Sequence, residues 1–279
     1  MFYADDTQLY IAFKHSDVQG VISQMVDCVQ AIKEWSQING LKLNSNKTEF
    51  LHISSRFRST DHISFIDLDG TQVNSVRKCR NLGAIFDDNF TMDNFVSQKC
   101  RSASFALHKI GKIRNLTDKH TTERLIHAFV ACHLDFCNSL LSGISARQVQ
   151  KMQVVQNSAA RLIYRIRKHE SVSLILRDLH WLPIHSRILF KILLLAYECF
   201  YKYAPPYLIE LLKLYKPSRN LRSNKTKLFV IPPVMIRSYG ERSFAHTAST
   251  SWNNLPENLK NIDSIVKFKI ALKTHLFNI

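Results

Sequence analysis

The sequence predicts an α+β fold, and three observations point to it. Up to about residue 90, apolar residues come in short runs separated by turn pairs such as Asp69-Gly70, with one long helical stretch among them. After Thr91 only helical periodicity remains. The chain of 279 residues holds 7 Gly and 7 Pro, too few for long loops, and its 46% hydrophobic and 22% charged residues are those of a packed globular protein.

Taken in order, residues 7–13 are rich in β-formers and read as a strand. Ser16 or Asp17 then offers a side-chain oxygen to cap a helix. Val18, Val21, Ile22, Met25, Val29, Ile32 and Trp35 form one apolar stripe of that helix, and Gly40 ends it in the left-handed conformation. Residues 47–53 alternate like a strand. Segments 63–68 and 71–76 flank Asp69-Gly70, which favours a type I′ hairpin turn, and 82–86 supplies another strand.

Helices are expected over 92–114, 118–136, 146–167 and 186–203, punctuated by Leu182-Pro183 and Ala204-Pro205-Pro206. Residues 211–240 contain no Asp or Glu but hold Lys213, Lys216, Arg219, Arg222, Lys225, Lys227 and Arg237. With Pro217, Pro232 and Pro233 this stretch reads as an extended basic connector. A final helix covers 264–277. The organisation expected is thus 1–90, then 91–170, then 171–279.

Net charge is +16, and its placement is uneven. Residues 1–100 carry 10 basic against 12 acidic side chains, and residues 101–279 carry 28 against 10. A basic rear suggests a polyanion partner, nucleic acid first; a solvated basic surface without a dedicated partner is the other reading.

The six cysteines show no C-x-x-C and no disulfide-type spacing, so buried, reduced thiols in an intracellular protein are expected. Cys132 and Cys137, with His127 and His133 nearby, fit no zinc-ligand spacing. The longest apolar run, residues 188–200, is broken by Lys191 and too short to span a bilayer, so no membrane role is expected.

Candidate chemistry opens the chain. Tyr3-Ala4-Asp5-Asp6 sets two carboxylates side by side, as a turn does, where such side chains bond local N–H groups. It is also what two-metal phosphoryl transfer requires, since hard Mg²⁺ takes oxygen ligands and stabilises charge on the phosphorus centre. The pair is followed by an amphipathic helix, then "GLKLNSNKTEF", then "NLGAIFDDNF".

In that order these segments resemble the C-terminal half of the reverse transcriptase of LINE-type (non-LTR, jockey-like) retrotransposons. The likeness continues through "LDFCNSLLSG", "LHWLPIHSRILFKILLLAYECF", "YGERSFAHTASTSWNNLP" and "FKIALKTHLF".

The resemblance implies a truncated polymerase palm over 1–90, then a helical thumb and C-terminal extension. It implies RNA-directed DNA polymerase ancestry, a Mg²⁺ cofactor, an RNA template and a DNA primer. Asp5 and Asp6 match the metal-binding carboxylates. Lys47 matches a lysine near the incoming triphosphate, and Asn81, Leu82 and Gly83 match a strand that grips the primer end. The family's palm also uses an aspartate and fingers upstream of this turn, for which a chain opening at Met1 has no room. This polypeptide alone is therefore expected to lack polymerase activity.

Two other outcomes stay open, a non-catalytic basic nucleic-acid-binding module and an unstable product of a decayed element. With only Phe2 and Tyr3 before the turn, strand 7–13 is expected to be an exposed edge.

For backbone contacts, Arg161, Arg165 and Lys168 fall at helical spacing with Tyr164 beside them, and Lys213, Lys216, Arg219 and Arg222 follow in the connector. Arginine stems lying over the helix surface are the alternative. Trp181, Trp252, Tyr197, Phe200, Tyr201 and Tyr203 are expected in the core rather than on a base-stacking surface.

Overall fold

Helix formation dominates once turn residues are spent, and the computed structural model is α+β. It describes residues 2–3, 6–54, 63–68, 70–216, 227–235 and 237–278. The chain divides into two compact units, residues 1–90 and 91–279.

Among its described residues the first unit holds three two-stranded antiparallel pairs and one long helix. β1 (Phe2–Tyr3) pairs with β2 (Asp6–Thr7). Helix α1 (Val18–Ile38) ends as its glycine predicts: Gly40 has φ 69°, and the Gly40 and Leu41 N–H groups donate to the Gln37 and Ser36 carbonyls at 3.1 and 2.8 Å. β3 (Phe65–Leu68) and β4 (Thr71–Asn74) form the expected hairpin. The Gly70 N–H donates to Asp67 Oδ1 at 2.7 Å, and Gly70 takes φ 76°, which a side chain would oppose. β5 (Lys78–Asn81) and β6 (Ala84–Asp87) form a second hairpin whose two loop residues, Leu82 and Gly83, have φ 45° and 85°. Two positive φ values are what a type I′ turn needs.

Several expectations fail here for identifiable reasons. Residues 8–14 form no strand, because a strand persists only where a neighbour accepts its ladder and β1 faces just Asp6 and Thr7. Residues 47–53 do not form one either: a 3₁₀ turn spans Ser45–Lys47, and beyond it only an isolated bridge joins Phe50 to Ser75. Asn44 competes for the local backbone, taking the Asn46 N–H on its side chain at 3.1 Å and the Thr48 hydroxyl on its carbonyl at 3.1 Å. Asp17 precedes α1 without a side-chain capping bond. The stripe of α1 buries Val21 but leaves Trp35 and Ile38 exposed.

The second unit is helical. Its elements are α2 (Asp93–Ile113), α3 (Lys119–Ile126), a π turn (His127–Ala131), α4 (Cys132–Asp135), α5 (Ala146–Tyr164), α6 (Ser173–Asp178) and α7 (Ile184–Phe200). There follow α8 (Pro206–Ile209), α9 (Arg237–Gly240), α10 (Phe244–Asn253), α11 (Glu257–Lys260) and α12 (Ile265–Phe277). Asp118 caps α3, accepting the Thr121 N–H at 2.6 Å, which with the Thr121 hydroxyl holds its carboxyl below the usual range.

Helices α2 and α5 run parallel. Gln148 donates to Asp93 (2.6 Å) and Lys151 to Ser97 (2.8 Å) near their starts, while Arg114 reaches the Leu162 and Ile163 carbonyls at their ends. Gln153 of α5 accepts the Ile184 N–H at 2.9 Å and so satisfies the first turn of α7, where Pro183 offers no cap.

The core centres on Trp252, Tyr197 and Phe268, all fully buried. Tyr197 stacks on Phe268 at 4.3 Å, and Trp252 stacks on Phe200 at 5.5 Å with Phe229 at 5.8 Å. Trp252 Nε1 donates to the Lys227 carbonyl at 2.9 Å, and Asn253 exchanges two bonds with the Phe229 backbone. Of the aromatics expected in the core, Trp181, Tyr197 and Trp252 are buried, Phe200 and Tyr201 are half-buried at its edge, and Tyr203 is exposed. The connector is not wholly extended: Leu214 bridges Phe229, and α9 occupies its end. Among the cysteines only Cys100 and Cys199 are buried, while Cys28, Cys132 and Cys137 are exposed, against the expectation of buried thiols. No described helix is long and apolar enough to cross a membrane.

Replacing Trp252 by Ala empties the centre of this cluster, with an expected loss of about 3–5 kcal/mol in a urea titration. Alkaline pH tests the same region. Burial first, then the hydrogen bond to Asp263, pushes Tyr201 up to about 12, and burial pushes Tyr197 up to about 12. Both folded values lie above the ordinary tyrosine value near 10. Their stabilisation is therefore complete below about pH 10 and is lost as pH rises toward 12. Melting temperature should fall across that window, and Tyr201→Phe should make the fall shallower.

Candidate nucleic-acid interface

The opening carboxylates can be placed only in part. Asp6 is an exposed β2 residue opposite Tyr3, and Asp5 lies outside the described residues. Among the described residues no group of three or more His, Cys, Asp or Glu could hold a metal. A two-metal Mg²⁺ centre draws on several oxygen ligands, of which the described residues place Asp6 alone, and no reaction step is drawn from it.

Lys47 is exposed at the end of its 3₁₀ turn. Asn81, Leu82 and Gly83 do not lie along a strand; they make the end and tip of the β5–β6 hairpin. Asn81 Nδ2 donates to Gln8 Oε1 at 2.9 Å, so the hairpin tip is tied to the chain two residues beyond Asp6.

In the second unit the group on α5 is rearranged. The helix ends at Tyr164, Arg165 takes the left-handed conformation (φ 54°), and the Ile166 N–H returns to the Arg161 carbonyl at 3.3 Å. Lys168 is therefore off the helix, and the common face expected for Arg161, Arg165 and Lys168 does not form. Arg161 donates to the Glu170 carbonyl at 3.1 Å, and Arg165 donates to the Arg114 carbonyl at 2.9 Å. Tyr164 lies under Lys119, 3.8 Å from its ring centre. Lys213 and Lys216 are exposed, whereas Arg219 and Arg222 fall outside the described residues.

What the structure assembles instead is the α2–α5 face. Residues 94–117 contain no acid and five Lys or Arg; residues 136–169 contain no acid and six. Those two stretches hold most of α2 and all of α5. The absence of acids in both could have been read from the sequence, but only parallel packing makes them one surface. Lysines also sit on aromatic rings: Lys99 is 3.7 Å from the centre of Phe136, and Lys109 is 4.5 Å from that of Phe105. Burial, then the Lys99 charge, holds His133 below its ordinary value and favours the neutral imidazole.

Arg114 fixes this face at one end. Its buried guanidinium donates to the carbonyls of Leu162, Thr117 and Ile163 at 2.9, 2.7 and 2.7 Å. Burial, then the Arg165 charge, lowers its pKa from the usual value.

No protein-family model, curated protein or solved structure matches the chain.

Substituting Arg114 by Met leaves those carbonyls without their donor, and hydrogen bonds to a charged group are worth about 1.5–3 kcal/mol each. The expected result is a urea midpoint lowered by about 3 kcal/mol of stability, with an unchanged slope.

Proposed function

We propose that the chain is a piece of a LINE-type reverse transcriptase lineage whose present activity is to hold nucleic acid through its basic helical unit. The observation that carries this is the pair of helices α2 and α5, packed side by side and free of acids beyond Asp93 at the start of α2, with lysines set against aromatic rings. Such a face suits phosphate contacts, which release counterions and need no base-specific geometry. The lineage rests on the order of "YADD", "GLKLN", "NLG" and the segments toward the C-terminus. Polymerisation is the second reading. It is favoured by the bond between Asn81 and Gln8, which puts the primer-grip-like tip near the Asp6 segment.

Fluorescence anisotropy of the whole chain against a primer–template duplex, at several salt concentrations, tests the first reading. Affinity should fall steeply with added salt, and Asp6→Ala should leave it unchanged. Primer extension with Mg²⁺ and nucleotides in the same tubes tests the second. Extension that is lost on Asp6→Ala would replace the binding reading with the catalytic one. Binding insensitive to salt would remove the phosphate-contact reading.

A further inference from the structure

Between α2 and α5 runs an open cleft of about 360 Å³, lined by Ser104, Leu107, His108, Val154, Ser158 and Leu162 among others. Its volume falls near the lower end of the roughly 300–1,000 Å³ typical of small-molecule pockets. The lining is apolar with two hydroxyls and an imidazole, and it carries no carboxylate.

Next to it on α2 stands Phe105, 61% exposed, a large aromatic that the core does not use. Arg101, Lys109 and Lys112 lie four before, four after and seven after Phe105, and His108 lies three after it, so these side chains share one helix face with the ring. On α5, Arg147 and Lys151 lie toward the helix start, ahead of the cleft residues, with Lys151 bonded to Ser97 at 2.8 Å. An exposed ring, an apolar cleft and cations on the same face of α2 thus coincide.

We propose that this cleft takes an unstacked base of a single-stranded nucleic acid, stacked on the face of Phe105 that Lys109 leaves open, with Arg101 and Lys112 holding the flanking phosphates. The inference rests on the nucleic-acid reading above and narrows it to single strands. Phosphates alone would be served by cations, and neither the exposed phenyl ring nor the apolar cleft would contribute. A base presents a π-face to an aromatic ring only when it has left a duplex stack. The Ser104 hydroxyl can donate or accept, while Ser158, whose O–H goes to the Val154 carbonyl at 2.8 Å, can still accept, so a base edge finds both kinds of partner.

The test compares a labelled single strand, the duplex of the same sequence, and an abasic strand of the same length, each titrated with the whole chain at low salt. Phe105→Ala should weaken the single strand about fivefold or more, the effect of one stacking contact, and leave duplex and abasic binding unchanged. Ser158→Phe, which fills the cleft while keeping the Phe105 side chain in place, should act on the single strand in the same way. Thermal melts verify that both variants stay folded.

Equal losses on all three ligands, or no loss on the single strand, overturn the base-binding proposal while leaving phosphate binding in place. Wild-type chain that binds duplex but not single strand does the same. Absence of binding to any of the three removes the underlying nucleic-acid reading as well.

Discussion

Two parallel helices bring their C-termini together, and with them two sets of carbonyls that have no intrahelical donor. The partial negative charge at each helix end makes that meeting unfavourable unless a cation is placed between them. Arg114 is that cation. It leaves α2, turns back across the junction and gives its donors to Thr117 on its own side and to Leu162 and Ile163 on α5. A lysine could neutralise the charge but could not reach three carbonyls with a rigid fork. Arg165 adds a second clasp by donating to the Arg114 carbonyl. The side-by-side placement of the two basic helices, and so the cleft between them, depends on this junction.

Electrostatic economy explains the rest of that face. Five cations on one stretch and six on the other would repel if they pointed at one another. The structure sets some against rings, as with Lys99 and Phe136, and uses others on backbone carbonyls, as with Arg114 and Arg161. Positive charge that remains on the surface then has no acidic neighbour within either helix beyond Asp93, whose carboxylate is taken by Gln148. A surface of this kind attracts a polyanion from a distance and is weakened by salt.

The first unit is organised by turns rather than by a broad sheet. Its three strand pairs are each two-stranded, so its fold rests on hairpin tips and on the cap of α1. Gly40, Gly70 and Gly83 supply the left-handed positions those tips and that cap require. The Asn81–Gln8 bond joins two of the motif-bearing segments across more than seventy positions of chain. Exposed Trp35 and Ile38 on α1 are the counterpart of having so little sheet to cover.

How much the sequence disclosed follows from the range of the forces involved. The α+β class, α1 with its Gly40 cap, the β3–β4 hairpin and the long helices α2, α5, α7 and α12 were legible, because periodicity and turn chemistry act within a few residues. The buried position of Trp252 and Tyr197 was legible too, from bulk and company. Strand 7–13 was not, since β-formers become a strand only beside a partner, and the described pairing ends at Phe2 opposite Thr7. Nor was the end of α5: residues 161–168 keep helical spacing, yet Arg165 turns left-handed where its side chain can reach the Arg114 carbonyl. The sequence by itself determined the charge of the rear half and the absence of acids from residues 94–117 and 136–169. Tertiary structure alone decided that those helices lie parallel, with one arginine between their ends and one cleft between their sides. That choice belongs to contacts some fifty residues apart, which no local pattern encodes.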